Sequence, residues 1–447
     1  MTASTYFKRA FTENSIKRYY YEKVVHKASP GIDRINRISF EARIDKYVKI
    51  ISVKVMDGTY KFIPYKEKLI SKGAGKFPRQ ISVPAIRDKL TLSLLNNCLT
   101  KTFEDLVNRK IIQTLVDELK FSINTGKYDC FIKLDIRDFY PSIDHDILLK
   151  TLKKKIRKAS FLSLIEKALC TPTVPFPTKE YELNKSGIPQ GIAIASILAN
   201  IYLSKIDENY SRDNEDFKYF RYVDDILILC NKSNVSTIKD GFLNELKKLH
   251  LETNIAKDKV GAIQEGFSYL GYSYEKIKNH FGFSIRKESI KRFEESIIKI
   301  FSEYKFHNKT KTDKFIWKLN KKITGCIFEK KKYGWLFFYS QIDNMQLLYH
   351  MDWFVQKLCE QIKVDPIIRR RIKRFVRTFH ELTFNLSNTN YIPNLDTMDL
   401  KEKRAVLRDV FEVRDVNNYT KEEVEIRFKK TVFKFIKELE KDVQNLS

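Results

Sequence analysis

The chain has 447 residues, 83 of them Lys or Arg and 56 Asp or Glu, so its formal net charge is +27. With 43% hydrophobic residues it has enough apolar side chains for a core, which excludes a wholly disordered basic tail. The surplus favours polyanionic partners, nucleic acid before an anionic membrane, and no apolar run reaches the ~18–20 residues that a membrane span requires.

In chain order, residues 1–60 predict short, basic, aromatic helices interrupted by a turn at Ser29-Pro30-Gly31-Ile32-Asp33. Residues 71–79 hold two Gly and a Pro before the strand-like Gln80-Ile81-Ser82-Val83, which predicts a hairpin with a cationic tip. Residues 171–178 hold three prolines and are excluded from a helix interior. From about 285 onward the pattern is mainly helical, with Ile290, Phe293, Ile297, Ile300 and Tyr304 on one stripe. Asp365-Pro366 predicts the start of a helix bearing an apolar stripe from Ile368 to Leu382 and a basic one of Arg370, Arg374 and Arg377. After a polar loop at 385–398, Thr420 and Glu423 form a capping box for a last helix with Val424 to Val443 on its buried face. The six cysteines lie far apart with no metal-ligand spacing, as expected of reduced thiols in a cytosolic protein.

Two acidic segments carry the chemistry. In Phe131-Ile132-Lys133-Leu134-Asp135-Ile136, strand alternation buries Ile132, Leu134 and Ile136 and turns Asp135 the other way. In Tyr219 to Leu229, two apolar runs flank Asp224-Asp225, which predicts a hairpin presenting adjacent carboxylates at its turn. An Asp-Asp pair in a turn is most often turn chemistry alone. Three carboxylates brought together, however, repel unless a divalent cation neutralises them, and such oxygen-rich sites suit Mg²⁺. Two ions ~3.5–4 Å apart would serve an in-line phosphoryl transfer to a 3′ hydroxyl.

The ordered set of motifs resembles a family. Tyr222-Val223-Asp224-Asp225 is similar to the YxDD signature of reverse transcriptases, and Asp135 to Tyr140 to their first catalytic strand. Gly187-Ile188-Pro189-Gln190-Gly191, with Ser196, Leu198, Ala199 and Asn200, resembles the GxPQG and SxxLAN motifs of the bacterial enzymes. Lys72, Arg79 and Arg87-Asp88-Lys89 resemble the fingers, and Lys257 followed by Phe267 to Tyr272 resembles the palm lysine and the primer grip. The match covers roughly residues 29–275.

The resemblance implies an α+β right-hand polymerase: an N-terminal helical segment at 1–60, fingers and an antiparallel-sheet palm at 61–280, a helical thumb at 281–360 and a C-terminal helical domain at 361–447. It implies metal ligation by Asp135, Ile136, Asp224 and Asp225, with two Mg²⁺ ions or Mn²⁺ as a substitute. Lys257 would be a general acid, with Lys259 a near neighbour able to take that role. Lys72 and Arg79 would hold the triphosphate, Gln190 would lie by the nascent base pair, and Tyr140 would exclude the ribose 2′-OH, favouring dNTPs. Gly187, Pro189, Gly191, Tyr222, Leu270, Gly271, Arg370, Arg374 and Arg377 would meet template, primer or product duplex. A compact polymerase with its own C-terminal helices resembles the defence-associated, abortive-infection-like, non-retron group. That implies a cytoplasmic enzyme copying a structured noncoding RNA in antiviral defence. The alternatives are a maturase-like RNA-binding protein and a template-independent or protein-primed DNA polymerase.

Overall fold

The computed structural model describes every residue except 26–27, 72–74, 76, 107–109, 179, 213–214, 308–309 and 444–447. The chain divides into two compact units, Met1–Arg109 with Tyr128–Gly261, and Lys110–Lys127 with Ala262–Ser447. The segments expected at 281–360 and 361–447 both fall in the second unit.

In the first unit, β1 (Tyr65–Ile70) and β2 (Arg79–Val83) form the expected antiparallel hairpin, with Ile70 opposite Arg79. After β3 (Cys130–Asp135), the two-residue β4 (Thr173–Val174) runs parallel to β1. β5 (Phe217–Tyr222), β6 (Asp225–Cys230) and β7 (Lys259–Ala262) complete a four-stranded sheet in the order β5-β6-β3-β7. Every residue of β6 is buried, as a continuous Ile-Leu-Ile-Leu run demands of a strand covered on both faces. Ile132, Leu134, Ile226 and Ile228 share one core with Leu198 and Ile201 of the helix Ala195–Tyr210 and Phe242 of the helix Val235–Lys248. The α+β class predicted from the sequence is the class observed.

In the second unit, β8 (Phe267–Tyr269), β9 (Tyr272–Ile277) and β10 (His280–Ile285) form an antiparallel sheet ahead of the helix Lys287–Phe306. Trp335 is 1% exposed and stacks on Phe293 with ring centroids 4.2 Å apart. The mainly helical expectation missed a hairpin of β11 (Cys326–Phe328) and β12 (Lys331–Tyr333). Its turn residues Glu329 and Lys330 both have positive φ, and their N–H groups donate to the Asp396 carboxylate at 2.7 and 2.8 Å. A remote carboxylate thus fixes a turn that local propensity does not announce.

The helix expected from Asp365 starts as predicted, with Asp365 accepting from Ile367 N–H, but it breaks into Pro366–Arg370 and Phe375–Phe384. Tertiary hydrogen bonds replace the helical ladder at the break. Lys373 N–H donates to Asn320, Arg374 N–H to the Tyr391 hydroxyl, and Phe375 N–H to Asp352. Arg370 is therefore not on one helical stripe with Arg377. The last helix, Lys421–Glu440, has the expected capping box and ends before Val443. Its Val424, Phe428, Val432 and Ile436 pack with Cys326, Phe328 and Leu407 in a core separate from that of the sheet. Among the described residues no helix is long and apolar enough to cross a membrane. The six cysteines are free, and five are buried.

Candidate active site

The site is built where β3 ends and the β5-β6 hairpin turns. Antiparallel pairing places Asp135 opposite Asp225, and Asp225 opposite Tyr222, so Val223 and Asp224 form a two-residue turn beside the end of β3. Ile136 N–H donates to the Asp224 carbonyl at 3.4 Å. On the other side, Asn254 N–H donates to the Asp135 carbonyl at 2.7 Å and Arg137 N–H to the Glu252 carbonyl at 2.8 Å. These bonds form the bridge between Ile136 and Thr253 through their neighbours, so the bridge itself does not engage the Ile136 carbonyl. Lys257 places Nζ 2.9 Å from Asp135 Oδ2. Lys259 lies in the exposed start of β7, so geometry distinguishes the two lysines.

Burial first, then the neighbouring Asp135 carboxylate, raises the Asp224 carboxyl above its ordinary range, while Arg79 and Lys257 pull it back. Burial first, then Asp224, likewise raises the Tyr140 phenol, which Arg79 lowers. Asp135, Asp224, Lys257, Arg79 and Tyr140 thus act on one another within one site, although they come from four separate stretches of sequence. Tyr222, 37% exposed, adjoins them.

The loop at 187–191 is fixed by its glycines. Gly187 has φ +80°, and a Cβ there would lie 2.8 Å from the Pro141 carbonyl oxygen. Gly191 has φ +99°, and a Cβ would lie 2.6 Å from Ile81 Cγ2 and 3.0 Å from the Ser82 carbonyl oxygen. Both glycines permit a close approach within the protein, to Pro141 and to Ile81 and Ser82 of β2. Ser82 N–H donates to the Gln190 carbonyl at 2.6 Å, and Ile188 N–H to the Tyr140 carbonyl at 2.8 Å. The loop therefore joins β2, which carries Arg79, to the helical turn that carries Tyr140. Pro189 is buried and Gln190 half-buried.

Two desolvated, mutually repelling carboxylates with only oxygen donors fit a hard divalent cation. Among the described residues, however, no three His, Cys, Asp or Glu side chains gather as a metal-holding group. Asp224 acts on Asp135 from the turn, and antiparallel pairing sets the expected third carboxylate, Asp225, directly opposite Asp135. Asp225 is a strand residue, paired on both sides and 8% exposed, whereas Asp224 sits in the turn.

Lys72 lies outside the described residues. Arg87 is turned inward, donating to the fully buried Asp88 and to the Lys61 carbonyl, rather than free for a triphosphate. Leu270 and Gly271 form the β8-β9 turn in the second unit, both at positive φ, and Leu270 is 2% exposed. Arg370, Arg374 and Arg377 are exposed in that unit, and Arg377 lies over the Tyr391 ring at 4.4 Å. Sequence reasoning missed Arg221 and Asp207, an ion pair of a buried Arg and a half-buried Asp whose Arg also donates to the Val223 carbonyl of the acidic turn. The available signal was a lone Arg in the otherwise aromatic end of β5.

Residues 66–274 match the family described as "Reverse transcriptase (RNA-dependent DNA polymerase)". The chain is 23% identical over 299 residues to protein YkfC of Escherichia coli K12, covering 57% of this chain and 78% of that one. It is 26% identical over 220 residues to the retron Ec73 reverse transcriptase of Escherichia coli, covering 45% and 66%. It is 27% identical over 172 residues to the group II intron-encoded protein LtrA of Lactococcus lactis, covering 37% of this chain and 28% of LtrA. Residues 66–274 therefore form a reverse transcriptase domain, of the RNA-directed DNA polymerase class and right-hand polymerase fold, a class that generally uses divalent metal ions.

Proposed function

We propose that this domain extends a 3′ hydroxyl with dNTPs, using Mg²⁺, along a structured noncoding RNA template, and that the enzyme is a cytoplasmic member of the defence-associated group. The observation that carries the polymerase reading is the convergence of Asp135, Asp224, Lys257, Arg79 and Tyr140 on one site. Asp135 and Asp224, with Asp225 and the Ile136 carbonyl, would hold the divalent ions, which supply activation of the hydroxyl and neutralisation of the developing phosphate charge. Arg79 lies on the hairpin strand where its guanidinium can take triphosphate oxygens in pairs. Lys257, already on Asp135, is placed to give a proton to the leaving pyrophosphate. Tyr140, half-buried against Asp224, presents a ring where a ribose 2′-OH would need room. The core in which the last helix packs with Cys326, Phe328 and Leu407 lies beyond the polymerase match and supports the defence-group reading.

Primer extension on an RNA template with matched dNTP and NTP pools tests the polymerase reading. We expect dNTP-dependent extension that is abolished by Asp224→Ala with Asp225→Ala. If this double variant extends primers as the wild type does, the reading is refuted. A second reading, an intron-type RNA-binding protein, is favoured by the similarity to LtrA. Sequencing the RNA and any attached DNA that co-purify from the native host separates the two: DNA copied from the bound RNA supports synthesis, and bound intron RNA without DNA supports the second.

A further inference from the structure

Arg221 is 5% exposed at the end of β5 and donates in three directions. Its Nε donates to Asp207 Oδ1 at 2.7 Å, and Nη2 pairs with Asp207 Oδ2. Nη1 and Nη2 both reach Asn200 Oδ1 at 3.3 Å. Nη1 also donates to the Val223 carbonyl at 2.8 Å. Asn200 and Asp207 are seven residues apart on the helix Ala195–Tyr210, so two turns place them on one face. Tyr219 adds its hydroxyl to Asp207 at 3.0 Å, fixing the carboxylate from the strand side.

The carbonyl that Arg221 holds belongs to a strained residue. Val223 has φ +58°, a left-handed conformation that a β-branched side chain disfavours and that Gly, Asn or Asp ordinarily fill in such a turn. Strain of this kind persists where the surroundings over-determine it. Relaxing Val223 takes rotation about its N–Cα bond, which would carry its carbonyl off Arg221 and swing Asp224 away from Asp135. Besides Arg221, the turn is tied to β3 by the long 3.4 Å bond from Ile136 N–H to the Asp224 carbonyl.

We propose that Arg221 is a positioning residue that, anchored by Asp207 and Asn200, braces the Val223 carbonyl so that Asp224 is held beside Asp135 for a divalent cation. The proposal rests on the polymerase reading of the site. Lysine at 221 keeps the charge pair with Asp207 but has no planar fork to brace the carbonyl as well. Asparagine at 223 favours the left-handed conformation by itself.

The test measures Mn²⁺ affinity of the purified full chain by electron paramagnetic resonance, alongside the Mg²⁺ concentration that half-saturates primer extension. Arg221→Lys is expected to weaken Mn²⁺ binding about tenfold and raise the half-saturating Mg²⁺ by a similar factor. Adding Val223→Asn to Arg221→Lys is expected to restore both. Asp207→Asn, which loosens the hold on Arg221, should shift both in the same direction as Arg221→Lys and provides the assay if Arg221→Lys does not fold. Unchanged Mn²⁺ affinity in a folded Arg221→Lys or Asp207→Asn chain overturns the proposal, as does a loss that Val223→Asn leaves untouched. A wild-type chain that neither binds Mn²⁺ nor extends primers would instead refute the polymerase reading itself.

Discussion

Gly191→Ala is a sensitive probe of how the glycine loop serves the site. At φ +99° an alanine is strained, and its Cβ would sit 2.6 Å from Ile81 Cγ2 and 3.0 Å from the Ser82 carbonyl oxygen. The methyl of Ile81 can turn aside, but the Ser82 carbonyl is backbone within β2. The loop must therefore withdraw, which breaks the 2.6 Å bond from Ser82 N–H to the Gln190 carbonyl. Backbone strain of about 1–3 kcal/mol and a lost hydrogen bond of about 0.5–1.5 kcal/mol set the scale at about 2–4 kcal/mol. Arg79 is three residues before Ser82 on the same strand, so the displacement reaches the expected triphosphate contact. If about 2 kcal/mol is expressed in positioning, kcat/KM for dNTP falls by about 30-fold. Steady-state primer extension with varied dNTP measures it, and urea unfolding shows how much is lost as stability instead. Wild-type kcat/KM together with wild-type unfolding would refute the argument that this glycine fixes the loop to β2.

Three further outcomes are expected. Tyr140→Ala should cut the preference for dNTP over NTP at least tenfold in competition primer extension, and an unchanged ratio would remove Tyr140 from substrate choice. Lys322 and Asp442 form an ion pair in which both side chains are 8% exposed, so Lys322→Met alone should cost about 3–5 kcal/mol in urea unfolding. Pairing it with Asp442→Leu should recover most of that loss, because no buried charge is then left alone. Asp144 caps the helix His145–Lys153 by accepting from Asp146 and Ile147 N–H groups at 2.9 and 3.0 Å, so Asp144→Ala should cost about 1 kcal/mol. The Ile147 bond first, with help from His250, holds the Asp144 carboxyl below its usual range. A depressed folded pKa stabilises above the unfolded value of about 3.9 and ceases to do so as pH falls through the folded one. The stability gap between variant and wild type should therefore be full at pH 6 and narrow below about pH 4.

What was legible in the sequence was what local pattern or spacing encodes. The apolar runs around Asp135 and Asp224-Asp225 specify central strands, and their lengths fix a register that leaves Asp224 in a turn. The capping box at Thr420 and Glu423 and the Asp365-Pro366 start are likewise local, and both stand where the sequence puts them. The features that were not legible depend on partners distant in sequence. The β11-β12 turn needs Asp396, and the break before Phe375 needs Asn320, Tyr391 and Asp352. No periodicity in residues 326–333 or 366–384 contains that information.

Val223 shows why the same division runs through the site itself. By local preference a Val between Tyr222 and Asp224 belongs to an extended strand, and an extended Val223 would shift the strand by one residue and turn the carboxylates over. The observed turn instead puts Val223 at φ +58° and answers its carbonyl with Arg221, which depends on Asn200 and Asp207 from a helix that precedes the hairpin. A local conflict resolved by remote, buried polar contacts is expected at functional positions rather than in ordinary turns. The acidic pair is thus recognisable from its own sequence, but its geometry is set by basic and amide groups that carry no motif-level sign of the role.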